Sequence, residues 1–233
     1  CILLISILNW LLLFVTHVCC FQLGPRHTQR EQIMDKRSAA HNQSDVLYQK
    51  SLQGYYRNQG RRILHFHAER VVLHPNFQIR GAFHDIALIK VRGRIPIDGT
   101  YVAIANLPPG GNPNNFPEVG STNYIVGFGC MYTGGKAINR ANVLELRTNT
   151  RQECVSTYGS NVVRDITGFC AGYFHQNRGI CSGDSGSGLI SLRYGQPMVV
   201  GVASAAVRND MSSFPGKFMR VAPYVSWIRQ YVG

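Results

Sequence analysis

No histidine follows Ser185 in this 233-residue chain, no cysteine follows Cys181, and no C-x-x-C pair occurs anywhere. The first absence removes the chain order Ser, acid, His that a G-x-S-x-G elbow would need. The lack of paired cysteines argues against zinc. His65, His67, His74 and His84 have no carboxylate or cysteine at ligand spacing, so they read as surface or hydrogen-bonded strand histidines, with no metal and no cofactor. Acidic residues are also scarce: 12 Asp and Glu against 24 Lys and Arg give a net charge of +12. Such a balance attracts polyanions. No aromatic-interleaved module accompanies the basic residues, which cluster up to Arg70, so specific nucleic-acid binding is not expected. Internal repeats and low-complexity tracts are absent as well.

What is present is a β-rich pattern. Charged residues make up 15% and apolar residues 45% of the chain, and 24 glycines punctuate it. Short apolar runs such as 124–128, 198–203 and 218–221 are separated by Gly, Asn and Pro, the spacing of an all-β barrel or sandwich. Val221, Val225, Ile228 and Val232 recur at helical period and predict a closing helix with one buried face. One two-lobed domain of this length can bury a real core.

The chemistry concentrates in Ile180-Cys181-Ser182-Gly183-Asp184-Ser185-Gly186-Ser187-Gly188. A serine among glycines can stand exposed on a tight loop, whose backbone N–H groups can point at a developing oxyanion. If Ser185 is a nucleophile, its base must lie upstream. His84-Asp85-Ile86-Ala87-Leu88-Ile89 sets a carboxylate at the head of an apolar strand, where burial demands a partner. Ser38-Ala39-Ala40-His41 offers the imidazole.

These blocks, with Gly127-Phe128-Gly129 and Cys170-Ala171-Gly172, occur in an order that resembles the trypsin/chymotrypsin-like serine proteases. The resemblance runs from about residue 38 to residue 233. It implies two six-stranded antiparallel Greek-key barrels, the first incomplete, with a C-terminal α-helix. It also implies acyl transfer, in which His41 takes the Ser185 proton, Asp85 fixes the imidazole tautomer, and the N–H groups of Gly183 and Ser185 form the oxyanion hole. Ser204 would support Asp85 by a hydrogen bond, and Asp184 would shape the loop. Gly179 would form the floor of the specificity pocket, with Ala206 and Gly216 as its walls. That apolar slot implies chymotrypsin-like or elastase-like cleavage of proteins or peptides, without preference for Arg or Lys. Ala205 replaces the tryptophan that serves this family as a substrate shelf. The resemblance further implies a Cys154–Cys170 disulfide, and Cys130–Cys181 is a second candidate pair.

The N-terminal part fits less well. Residues 1–20 read as a hydrophobic leader of a secreted, extracellular protein, with a membrane anchor as the alternative. Residues 21–37 read as a basic linker, and 38–233 as the peptidase-like domain. Ile-Val-Gly-Gly, the family's activation end, is absent, so the chain resembles an N-terminally truncated or mis-started member. Asn42-Gln43-Ser44 is a glycosylation sequon beside His41. The alternative to a monomeric secreted endopeptidase is a non-catalytic homologue acting as a binding or regulatory protein.

Overall fold

The computed structural model describes residues 66–95, 97, 104–109, 116–138, 141–160, 166–207, 210–211 and 213–232, and the strand backbone of 2–5, 32–33, 51–56 and 64–65. The first sheet is antiparallel and contains β1 (Ile2–Ile5), β2 (Gln32–Ile33), β3 (Ser51–Tyr56), β4 (Leu64–Leu73) and β5 (Ala87–Val91). Its order is β1-β5-β4-β3-β2, so five strands of the first lobe are present among the described residues. Ile2–Ile5 falls in the stretch read as a leader, and its backbone pairs with β5 from Ile2↔Lys90 to Ile5↔Ala87.

The second sheet has six strands: β6 (Thr122–Gly127), β7 (Asn142–Arg147), β8 (Gly168–Ala171), β9 (Gly188–Arg193), β10 (Gln196–Ala205) and β11 (Gly216–Arg220). Their order is β7-β6-β9-β10-β11-β8. A Thr148↔Ala171 bridge, with Asn149 N–H donating to Cys170 O and Gly172 N–H to Arg147 O, joins the end strands. The sheet therefore closes on itself and leaves no open edge there.

Strand β5 explains how the lobes are joined. Residues 86–89 are all at most 3% exposed, as an unbroken apolar run buried on both faces should be. Ile86 and Leu88 point into a core with Ile190, Val199, Val202, Met219, Val221, Tyr224 and Ile228. The alternate residues Ala87, Ile89 and Val91 pack on Phe66, Ala68 and Val71 of the first sheet. One strand thus serves two cores, and each buried Ile, Leu or Val side chain contributes about 1.5–3 kcal/mol of burial.

Two helices brace the second lobe. Helix α1 (Arg151–Tyr158) starts in a capping box: Thr150 Oγ1 accepts from Glu153 N–H, and Glu153 Oε2 accepts from Thr150 N–H. Cys154 on α1 is disulfide-bonded to Cys170 on β8. Helix α2 (Val225–Val232) follows a 3₁₀ turn at Ala222–Tyr224. Val221, Val225 and Ile228 are buried, but Val232 is 45% exposed because the helix runs beyond the core it covers. Among the described residues no helix is long and apolar enough to cross a membrane.

Arg220 pins β11 to two loops. Its Nε donates to Ile166 O at 3.0 Å, its Nη1 donates to Phe116 O at 2.6 Å, and the guanidinium lies 4.8 Å from the Phe169 ring centroid. Burial lowers its pKa to about 10, still well above neutral pH. Arg220→Ala would strip two part-buried carbonyls of a charged donor, and is expected to lower stability by about 1–3 kcal/mol in urea unfolding.

Candidate active site

Asp85 is fully buried at the start of the doubly covered strand. Burying a carboxylate without hydrogen bonds is costly, and here the Ser204 hydroxyl donates to its Oδ2 at 2.7 Å. The reach is made possible by a β-bulge. On β10, Ala203 pairs with Phe218 and Ala205 with Lys217, so Ser204 is the extra residue between them. A bulge re-aims the inserted side chain, and this one turns towards the other lobe.

Ser185 lies in a loop that β10 also holds. Gly186 N–H donates to Ala203 O at 2.8 Å, and Ala203 N–H donates to Ser187 O at 2.9 Å. The opposite side is fastened to the turn after β6. Asp184 Oδ1 accepts from Gly129 N–H at 2.8 Å and its Oδ2 from Cys181 N–H at 2.9 Å. Cys130 N–H donates to Ser182 O at 3.1 Å, and Cys130 and Cys181 are disulfide-bonded. Glycine is required at this turn, because a Cβ on Gly127 or Gly129 would collide with the Asp184 carboxylate. Gly183 is at φ +104°, a conformation other residues rarely adopt, and approaches the Gly129 backbone.

The residues expected to line a specificity slot come from three places. Gly179 and Ala206 are half-buried, while Gly216 is buried at the start of β11. Tyr158 Oη donates to Pro215 O at 2.8 Å and holds the backbone just before Gly216. Ile180 is 3% exposed. A Cβ built on Gly216 would lie 2.5 Å from Ile180 Cγ1 and 2.6 Å from its Cδ1. Ala205 has Lys217 as its cross-strand partner, and Lys217 Nζ donates to Ala82 O in the loop that leads to Asp85.

The structure therefore brings Asp85 and Ser204 together, and Asp184 together with the loop that carries Gly183 and Ser185. His41 and its sequon at Asn42 lie outside the described residues. Sequence reasoning missed Ile180, which reads as ordinary core, and Lys217. It also missed the use made of two histidines. His74 and His84 stack at 4.9 Å between ring centroids, and Tyr224 and Trp227 pack edge-on against His74. His84 Nδ1 is 2.9 Å from Tyr224 Oη. The aromatic pattern Tyr224-x-x-Trp227, spanning the 3₁₀ turn and the start of α2, was the available signal. Among the described residues no three His, Cys, Asp or Glu side chains converge as metal ligands.

A family model for Trypsin matches residues 38–228. CLIP domain-containing serine protease B4 of Anopheles gambiae is 30% identical over 168 residues, covering 70% of this chain and 46% of that protein. Trypsin, alkaline A of Manduca sexta is 30% identical over 167 residues, covering 69% of this chain and 60% of its own length. Inactive CLIP domain-containing serine protease A3 of Aedes aegypti is 26% identical over 176 residues, covering 72% of this chain and 36% of its own length. The chain spans about half the length of the curated relatives it matches.

The histidine stack predicts an acid-sensitive joint between the Asp85 loop and α2. Burial lowers the His74 pKa, and neighbouring His84 lowers it further. His74 Nδ1 also accepts from Asn76 N–H at 3.3 Å, a bond that needs the neutral ring. The folded value lies below the ordinary value of about 6.5, so the unfolded chain takes up the proton first as pH falls. The stabilisation is full above about pH 6.5 and is lost as pH falls towards the folded value. Thermal melts should show Tm dropping between about pH 7 and pH 5, and His74→Gln should flatten that slope.

Proposed function

This chain belongs to the trypsin family of serine proteases, and from that premise we propose that it is a secreted endopeptidase whose catalytic unit is residues 38–233. The observation that carries this reading is the attachment of acid and nucleophile to adjacent residues of one strand. Ala203 holds the loop of Ser185, and Ser204 donates to Asp85. In this assignment His41 is the general base that takes the Ser185 proton, and Asp85 accepts from the imidazole and holds its tautomer. Attack of Ser185 Oγ on the substrate carbonyl places negative charge on its oxygen. The N–H groups of Gly183 and Ser185 stabilise that charge, and the protonated imidazole then delivers its proton to the leaving amine. Water repeats the sequence on the acyl-enzyme. With glycine at position 179 and no acid there, the slot takes apolar side chains in preference to Arg or Lys. Two disulfides suit an oxidising, extracellular compartment. The net charge of +12 would give salt-sensitive retention on heparin.

A second reading is a binding homologue without turnover. It is favoured by the small Ala205 where a substrate shelf would stand, and by the relative named as inactive. A fluorophosphonate probe, which reacts only with an activated serine, separates the two. The peptidase reading expects stoichiometric labelling that Ser185→Ala and His41→Ala abolish. An unlabelled, folded protein would establish the binding reading instead. Ser204→Ala removes a hydrogen bond to a buried carboxylate and is expected to lower kcat about tenfold, read in steady-state hydrolysis of an apolar peptide anilide.

A further inference from the structure

We infer that Ile180 is an internal plug in the substrate slot, so that only small aliphatic side chains fit beside the scissile bond. This rests on the peptidase assignment and narrows it, because glycines at 179 and 216 alone would leave room for an aromatic ring.

The space that Gly216 opens is already filled. The position of a Cβ on Gly216 lies 2.5 Å from Ile180 Cγ1, 2.6 Å from Ile180 Cδ1 and 3.4 Å from Phe218 Cε2. The missing side chain of one wall is thus replaced by the branched end of the residue next to the floor. Ile180 cannot easily withdraw. Its side chain packs in the core with Phe218, Ala171 and Ala203, and at 3% exposure no solvent-facing rotamer is at hand. The backbone on its C-terminal side is clamped, since Cys181 is disulfide-bonded to Cys130 and donates its N–H to Asp184. The facing wall is equally fixed, with Gly216 paired to Ala171 and Pro215 O accepting from Tyr158.

What remains accessible is the shallow outer part, bounded by half-buried Gly179 and Ala206. Their surface offers a methyl group and backbone, with Ile180 as the end stop. Alanine, glycine or valine can contact these without displacing anything. A phenylalanine ring would need the volume that Ile180 occupies, and core overpacking of this kind is strongly resisted. A single methylene in an apolar pocket discriminates by about 10-fold to 200-fold, so a whole ring against a packed isoleucine should be excluded at least that well.

Two measurements on the full chain test the plug. Indole titrated by NMR probes the slot without catalysis. The native protein should show no saturable shifts at Ile180 and Ala206, whereas Ile180→Gly should bind indole in the opened space. Ile180→Ala, which removes Cγ1, Cγ2 and Cδ1, serves if the glycine variant fails to fold, and should bind detectably but more weakly. Saturable binding by the native protein, or none by a folded variant, overturns the inference. Hydrolysis of paired peptide substrates supplies the second readout. The native protein should cleave after Ala at least about tenfold faster than after Phe in kcat/KM, and Ile180→Gly should reverse the order. Preference for Phe in the native protein overturns the plug. If neither peptide is cut and the fluorophosphonate does not react, the peptidase reading fails, while the indole titration still decides whether Ile180 fills the slot.

Discussion

Ser204 donating to Asp85 is the contact on which the arrangement turns, because it spans the two lobes and helps to make a fully buried carboxylate tolerable. The hydroxyl arrives only because β10 carries an extra residue between Ala203 and Ala205. The carboxylate arrives only because Ile86 and Leu88 are anchored in the second lobe's core while their neighbours are anchored in the first. Either lobe alone would leave half of this pair in water. The same short segment of β10 then fixes the Ser185 loop through Ala203, so Asp85 and that loop share one rigid reference. In the proposed peptidase, preorganisation of this sort would keep a reacting geometry within tight tolerance without reorganisation during the reaction.

Asp184 plays a comparable part on the far side of the loop. Its two oxygens accept from N–H groups of two separate segments, Gly129 and Cys181, and the disulfide beside them covalently joins the same segments. The glycines at 127 and 129 clear the room that the carboxylate takes. Charge, bond and missing side chains therefore act on one point. Loop shape here depends on several weak constraints and one strong one, all within a few residues of Ser185.

Much of this was legible in the sequence where a local rule sufficed. Asp85 heads an apolar run, so its burial and need for a partner follow from burial energetics alone. Gly183 and Gly186 mark a loop that bends where other residues cannot. Helix α2 followed from its period, apart from Val232 at the fraying end. What was not legible depends on pairing across long separations. Ile180 meets Gly216 only because β11 packs between β8 and β10. His74 and His84 meet Tyr224 and Trp227 across about 140 residues, and no local pattern announces an imidazole stack there. The step at Ser204 is likewise a property of two strands in register and of neither one alone.

The two disulfides are nested. Cys130–Cys181 closes a ring with a sequence separation of 51, and Cys154–Cys170, with a separation of 16, lies wholly inside it. Every residue from 131 to 180 is therefore bypassed by a covalent detour. That span includes Met131 and Tyr132, each at least 60% exposed on the turn after β6. A single cut anywhere within it divides the backbone but releases no fragment. The molecule would pass from one chain to two while its mass, apart from one added water, and its attachment of the Asp85 half to the Ser185 half stay unchanged. Its topology thus lets an exposed turn be nicked at little cost to the integrity of the molecule.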